Sequence, residues 1–201
     1  MATFRVAEMA PVDGYKLATG LVVPRPIGWI GSVSETGVFN LAPFSFFNAI
    51  GAAPPCVVVS PLTREGHPKD TLANLRHTGE FTHNVVTREV IEAVNMTAAT
   101  LDHDVDEFAH AGLTAIPSDT IGAPRVGEAK ASFECVVLDI IPVGTGPMSA
   151  NLVIGEIKVF HVDDDLLDGT RIDQTKLQAV GRMAGADYAM TSDMFSLQRP
   201  S

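Results

Sequence analysis

The chain has 201 residues, with 24 acidic against 14 basic side chains and a formal net charge of −10. No Lys/Arg cluster interrupts that acidic balance, which excludes a nucleic-acid partner, because a phosphate backbone needs a basic face. The length fits one domain over residues 1–201 with a real core, and 46% hydrophobic residues against 19% charged leave an apolar-leaning surface suited to a homodimer contact.

In chain order, MATFRVAEMA has no basic segment leading into an apolar core, and no run of ~18 apolar residues follows anywhere, so a cytoplasmic protein without a membrane span is expected. Residues 13–23 read as a short helical turn closed by Gly20. Arg25 is held stiffly between Pro24 and Pro26; it is either a solvated loop arginine or a fixed cation facing a ligand or a partner chain. Pro26 to Val33, the turn Ser34-Glu35-Thr36-Gly37 and Val38 to Leu41 form a hairpin signature. The return run, Ala42-Pro43-Phe44-Ser45-Phe46-Phe47-Asn48, carries a proline that cannot donate to a ladder. An edge or bulge is therefore expected around Pro43, with free backbone N–H groups facing a ligand.

Cys56-Val57-Val58-Val59-Ser60 is a short buried strand, and Cys56, like Cys135 further on, reads as a small core hydrophobe. A loop over residues 61–68 leads to Lys69-Asp70-Thr71, where helical spacing begins. The group has two readings. With the Ser60 and Thr71 hydroxyls and the Lys69 charge it makes an anion site at a helix N-terminus, or Asp70 simply caps the helix. Thr78-Gly79 ends that helix, and Glu80 to Val86 alternates as a half-buried strand in which Asn84 needs a partner. Arg88 to Met96 is near-helical. His103 sits among four carboxylates without ligand spacing, so no metal is assigned, and Asp106 caps the short helix that Gly112 closes. Ala131 to Ile141 and Leu152 to Val162 form a long hairpin, Asp163-Asp164-Asp165 is a solvated turn, and the Val180 to Tyr188 tail is glycine-rich where backbone must approach a ligand or second subunit.

Six or seven strands joined mainly by hairpins, with two or three helices in the middle, argue a mainly β antiparallel barrel with helical insertions. No GxGxxG, P-loop or GxSxG is present, which excludes a Rossmann site, an NTPase and an elbow-type hydrolase; Ser45 also lacks an identifiable base.

The blocks RPIGWIGSVSETGVFNLAPFSFFN, PPCVVVSP, HPKDTLANL, TGEFTHNVV, LVIGEIKVFHVDDDLLD and VGRMAGADY, in this order, closely resemble the flavin reductase-like family, from about Gly20 to Tyr188. The resemblance implies an antiparallel Greek-key split β-barrel of the FMN-binding type and a homodimer with FMN near its interface. Electrons would pass from NADH or NADPH through the flavin to free flavin, oxygen or a partner monooxygenase; a non-enzymatic, flavoredoxin-like electron carrier is the alternative. Carried over by position, it assigns Asn40, Ala42, Pro43, Phe44, Ser45 and Asn48 to the ring and ribityl chain. Ser60, Lys69 and Thr71 go to the phosphate, with Asn84, Arg25 and Arg182 as further cofactor contacts. Hydride transfer between nicotinamide and flavin needs positioning and hydrogen-bond donors rather than a nucleophile, so no catalytic acid or base is assigned.

Overall fold

The computed structural model describes residues 1–63 and 69–200. Of the expected 61–68 loop, residues 64–68 lie outside the described residues, including the first two residues of HPKDTLANL. Helix α1 (Pro11–Leu21) opens the fold with proline in its first turn, where no N–H is missed. It runs through Gly20 rather than stopping there, and its last turn closes with Val22 N–H donating to Ala18 O at 2.9 Å. Gly20 is solvent-facing with open space around it, so the only cost of keeping it helical is glycine's backbone entropy.

The sheet begins with β1 (Gly28–Val33), β2 (Phe39–Phe44), β3 (Phe47–Ala52) and β4 (Pro55–Val59). Helix α2 (Asp70–Thr78) leads to β5 (Glu80–Val85), followed by α3 (Ile91–Met96), α4 (Glu107–His110) and the short strands β6 (Ala115–Ile116) and β7 (Arg125–Val126). The long hairpin is β8 (Ala131–Val143) with β9 (Ala150–Val162). Beyond it come β10 (Leu167–Asp168), β11 (Arg171–Ile172), α5 (Gln174–Leu177), β12 (Val180–Arg182) and β13 (Tyr188–Met190). The helical content exceeds the two or three elements expected, because several of these helices are single turns too short to show a periodicity.

Seven strands form one antiparallel sheet in the order β2-β1-β5-β8-β9-β4-β3. Its two outermost strands are consecutive in the chain, separated only by Ser45 and Phe46. Three Cα steps span at most about 11 Å, so the sheet has to curl until its ends nearly meet. One contact closes it: the Phe47 ring lies so near β1 that a Cβ on Gly28 would fall 2.5 Å from it. On the other side of the seam, Ser60 N–H donates to Phe46 O at 2.8 Å and extends the β3–β4 ladder by one rung. The return run expected as one interrupted strand is thus two strands at opposite ends of the sheet, and the molecule is an antiparallel split barrel with a seam at Ser45-Phe46.

Alternation along the strands fills two cores. Ile30, Phe44, Val57, Val59, Phe81, Cys135, Val153 and Ile157 point into the barrel, where Leu72 and Leu75 of α2 join them. Trp29 and Leu41 point outward, where they form a second cluster with Val86, Val94 of α3, Phe108 of α4 and Val180 of β12. Strand β1 is therefore buried on both faces, in keeping with the absence of any charged residue from Gly28–Val33. Both cysteines are buried and unpaired, and burial pushes the Cys135 thiol pKa well up, consistent with core packing. Among the described residues no helix is long and apolar enough to cross a membrane.

Candidate functional site

Strand β2 is an edge strand, as its proline requires, but its outer amides are not free. Leu41 N–H points away from β1 and donates to Glu107 Oε2 at 3.3 Å. Two residues on, the same outward position falls to Pro43, which has no N–H to offer. The expected row of bare amides around Pro43 is thus corrected. One step past the strand, Ser45 is a polar residue without a partner among the described residues: neither its amide nor its hydroxyl makes a hydrogen bond.

Three of the residues expected at the cofactor are committed to the interior. Asn40 donates through Nδ2 to Glu107 Oε1 at 2.8 Å, while its Oδ1 accepts from Thr71 Oγ1 at 2.9 Å and Ser32 Oγ at 3.2 Å. Thr71 and Asn40 are therefore partners of each other. Burial raises the Glu107 pKa, and the bonds from Asn40 and Leu41 work against that rise. Asn84 is fully buried; its Oδ1 accepts from Val126 N–H and Ser132 Oγ, each at 2.9 Å, and its Nδ2 donates to Trp29 O at 3.2 Å. It ties β1, β5, β7 and β8 together on the face away from the barrel interior, and its side chain has no capacity left for a ligand.

Four others converge. Arg25, Pro43, Ser45 and Arg182 line one cleft of about 450 Å³ between α1, α3 and the β12–β13 hairpin. Arg25 is 6% exposed, which removes the solvated-loop reading. Its guanidinium donates to the carbonyls of Thr19, Val22 and Met183, so it is a fixed cation. Arg182 lies over the Tyr188 ring, 4.4 Å from its centroid, and donates to Gly185 O.

Strand alternation sends Ala42 and Phe44 the other way, onto the barrel core, and the exposed Lys69 places its ammonium 5.3 Å from the Phe44 ring centroid. Asp70 is the first helical residue of α2 rather than its cap: Lys69 holds the cap position and makes no side-chain capping bond. The first-turn amides of α2 are consequently not satisfied by a side-chain cap, the property an anion site needs. Ser60 is half-buried at the seam, its amide donating to Phe46 O and its hydroxyl without a partner among the described residues. Asn48 is exposed on β3 with its Oδ1 accepting from the next amide, Ala49 N–H, at 2.9 Å.

Two polar features escaped the sequence reading. His83, inward-facing like Phe81, packs against Phe47 with ring centroids 4.4 Å apart, and its Nδ1 is buried with no partner among the described residues. Burial lowers its pKa to about 3, so the imidazole is neutral at pH 7. Glu134, fully buried on β8, accepts from Asp119 N–H at 2.6 Å, Thr120 N–H at 2.8 Å, the Thr120 hydroxyl and His161 Nε2 at 2.7 Å. Burial alone raises its pKa, yet these bonds, led by the Thr120 hydroxyl, bring it down to about 2. Ligand atoms of Asp119, Glu134 and His161 lie within 4.8 Å of one another, but both Glu134 oxygens are already engaged, so the cluster clamps the 117–124 loop to the sheet. An alternating strand pattern flags His83 and Glu134 as inward positions; nothing in the sequence reveals their partners. Asp106 caps α4 as expected, accepting from Phe108 N–H and Ala109 N–H.

Fold and seam define a split barrel of the flavin reductase type. The family model described as flavin reductase like domain matches residues 20–178, and the chain belongs to that family. Among solved structures, the chain is similar to nitrilotriacetate monooxygenase component B from Bacillus cereus, at 38% identity and a TM-score of 0.95 over 98% of both chains. It is also similar to the 2-nitrobenzoate 2-nitroreductase of Pseudomonas fluorescens, at 29% identity and a TM-score of 0.90 over 100% of this chain and 97% of that one. An uncharacterised protein of Halalkalibacterium halodurans is 38% identical over 192 residues, 94% of this chain and 92% of the other.

Proposed function

We propose that residues 1–201 act as one FMN-dependent oxidoreductase domain, taking electrons from NADH or NADPH and passing them to free flavin, oxygen or a partner protein. The observation that carries this reading is the seam itself: at Ser45-Phe46 the barrel leaves an unpartnered serine between a cationic cleft and a helix start with no side-chain cap. Family membership adds flavin chemistry to that geometry, and the similar solved structures, a monooxygenase component and a nitroreductase, fit electron delivery to an acceptor.

The residues present fit FMN. Ser60, Lys69 and the first-turn amides of α2 would hold its phosphate, because a helix N-terminus and an ammonium together favour an anion. Ser45 would donate to the polar edge of the ring, and the Pro43 ring offers a flat apolar wall. When bound, FMN supplies a hydride acceptor that can release electrons onward. The chain's share is positioning: Arg25 and Arg182 hold positive charge beside the seam, and the closed side of the barrel keeps water from one face. Asn40, Thr71 and Asn84 act by fixing β1, β2 and α2 rather than by touching the cofactor.

A homodimer is part of the proposal. Ile50 on β3, Leu138, Ile141 and Val143 on β8, and Phe160 on β9 are exposed apolar side chains on one sheet, a surface that a second copy of the chain would cover.

An absorption spectrum of the purified protein, with and without added FMN and then with anaerobic NADH or NADPH, tests the reading. Flavin bands that bleach on reductant addition are expected. A colourless protein that takes up no FMN overturns it, and bound FMN that neither nicotinamide reduces makes the protein an electron carrier instead.

A further inference from the structure

Arg25 and Arg182 face each other across an isolated antiparallel bridge, with Arg25 N–H donating to Arg182 O at 3.0 Å and Arg182 N–H to Arg25 O at 2.8 Å. Like charges directly opposed in this way repel, and a protein usually answers with a carboxylate. None is present: among the described residues neither arginine forms an ion pair, and the cleft they line contains Lys16 as a third cation and no Asp or Glu. Asp13, the ion-pair partner of Lys16 at 3.4 Å, is not among the residues lining the cleft. In a chain of net charge −10 such a concentration of positive charge does not arise from composition.

The arginines are also prepared for a ligand. Three carbonyls fix the Arg25 guanidinium, which cuts the entropy lost on binding, and its Nε remains buried and unpartnered. Arg182 stacked on Tyr188, with Tyr15 also lining the cleft, provides flat surfaces beside the charge. A volume of about 450 Å³ is that of a site for a small organic molecule rather than for an ion alone. Pro43 and Ser45 also line it at the seam, so an occupant would lie next to the proposed flavin position, while Lys69 and the α2 start would serve the flavin phosphate on the other face of β2.

We propose that this cleft is a second anion site, distinct from the one for the flavin phosphate, which recognises the oxyanion of the molecule that exchanges electrons with the flavin. Its ligand class is a planar ring carrying a phosphate or carboxylate, met either by the diphosphate of a nicotinamide dinucleotide or by the carboxylate of an aromatic acceptor. The inference rests on the flavin reading and assigns Arg25 and Arg182 to the second reactant instead of to FMN.

Calorimetric titration of FMN-loaded and FMN-free protein with NAD+, NADP+, inorganic pyrophosphate and benzoate tests it without turnover. In Arg182→Gln the Kd for at least one of these anions rises tenfold or more while the Kd for FMN stays within twofold. Lys16→Gln shifts the same ligand in the same direction, and Arg182→Lys recovers part of the loss. A change confined to the nucleotides and pyrophosphate identifies the electron donor as the source, and one confined to benzoate an acceptor. Anion affinities unchanged in both Gln variants, or an FMN affinity that falls in step with them, overturn the second site. Failure of the wild-type protein to bind FMN counts against the flavin reading alone, since pyrophosphate binding to FMN-free protein still reports on the cleft.

Discussion

The ring of Phe47 occupies the space above Gly28, its Cδ2 2.5 Å from where a Cβ would stand. This contact joins β3 to β1 across the seam, two strands that share no hydrogen-bonded ladder.

Gly28→Ala should force the ring outward and destabilise the barrel by about 1–3 kcal/mol, the usual cost of overpacking. Phe47→Leu in the same chain should recover part of the loss, because the clash is with the ring. Thermal unfolding of the two single variants and the double variant measures the coupling. Strictly additive losses would show that the two residues do not meet.

His83 gives the protein an acid limb to its stability. A base whose pKa falls from 6.5 to about 3 on folding binds fewer protons in the native state, so its contribution is complete above 6.5 and drains away as pH falls from 6.5 toward 3. Each pH unit in that window costs about 1.4 kcal/mol for this one group. His83→Leu should flatten the slope of unfolding free energy between pH 6.5 and 5 by about one proton, read from denaturant titrations at each pH. That range lies above the window of Glu134, whose lowered pKa adds stability present above about 4.5 and lost as pH falls toward 2. An unchanged slope would mean that the imidazole is protonated in the folded state.

Glu134 holds two backbone amides, a hydroxyl and an imidazole from the first half of β8. Glu134→Ala leaves those donors buried without an acceptor and should cost about 3–5 kcal/mol, with early proteolytic cleavage inside 117–124. Glu134→Gln, which keeps the shape but loses the charge, should cost less. Equal Tm values for both variants and the wild type would remove the clamp.

Lys69→Ala should weaken FMN binding about 10- to 100-fold, the loss of one charge-assisted contact worth roughly 1.5–3 kcal/mol. Fluorescence quenching during FMN titration measures it. Thr71→Val should act differently: it breaks the bond to Asn40 and lowers Tm, with a smaller effect on FMN affinity. A Thr71→Val defect confined to FMN affinity would place its hydroxyl at the phosphate after all.

Leu138→Glu combined with Val143→Glu should reduce the solution mass to that of one 21.3 kDa chain, as measured by light scattering. Both side chains are more than half exposed, so folding itself should be little affected. A wild-type protein that already runs as a single chain would rule out the dimer.

Local chemistry determined much of this molecule without help from the fold. Alternation fixed the long β8–β9 hairpin, Asp106 announced the start of α4, and the proline at 43 required an edge strand, because each of these signals acts within a few residues of its cause. What the side chains do across the chain was settled only by tertiary contacts. Asn40, Thr71 and Asn84 carry the same donor groups whether they face a ligand or a neighbour, and only the arrival of Glu107 from 67 residues away and Val126 from 42 turned them inward. The pairing of Arg25 with Arg182 is of the same kind: tertiary packing brings the arginine before β1 and the last residue of β12 to one bridge, and the cleft they line exists in no stretch of sequence.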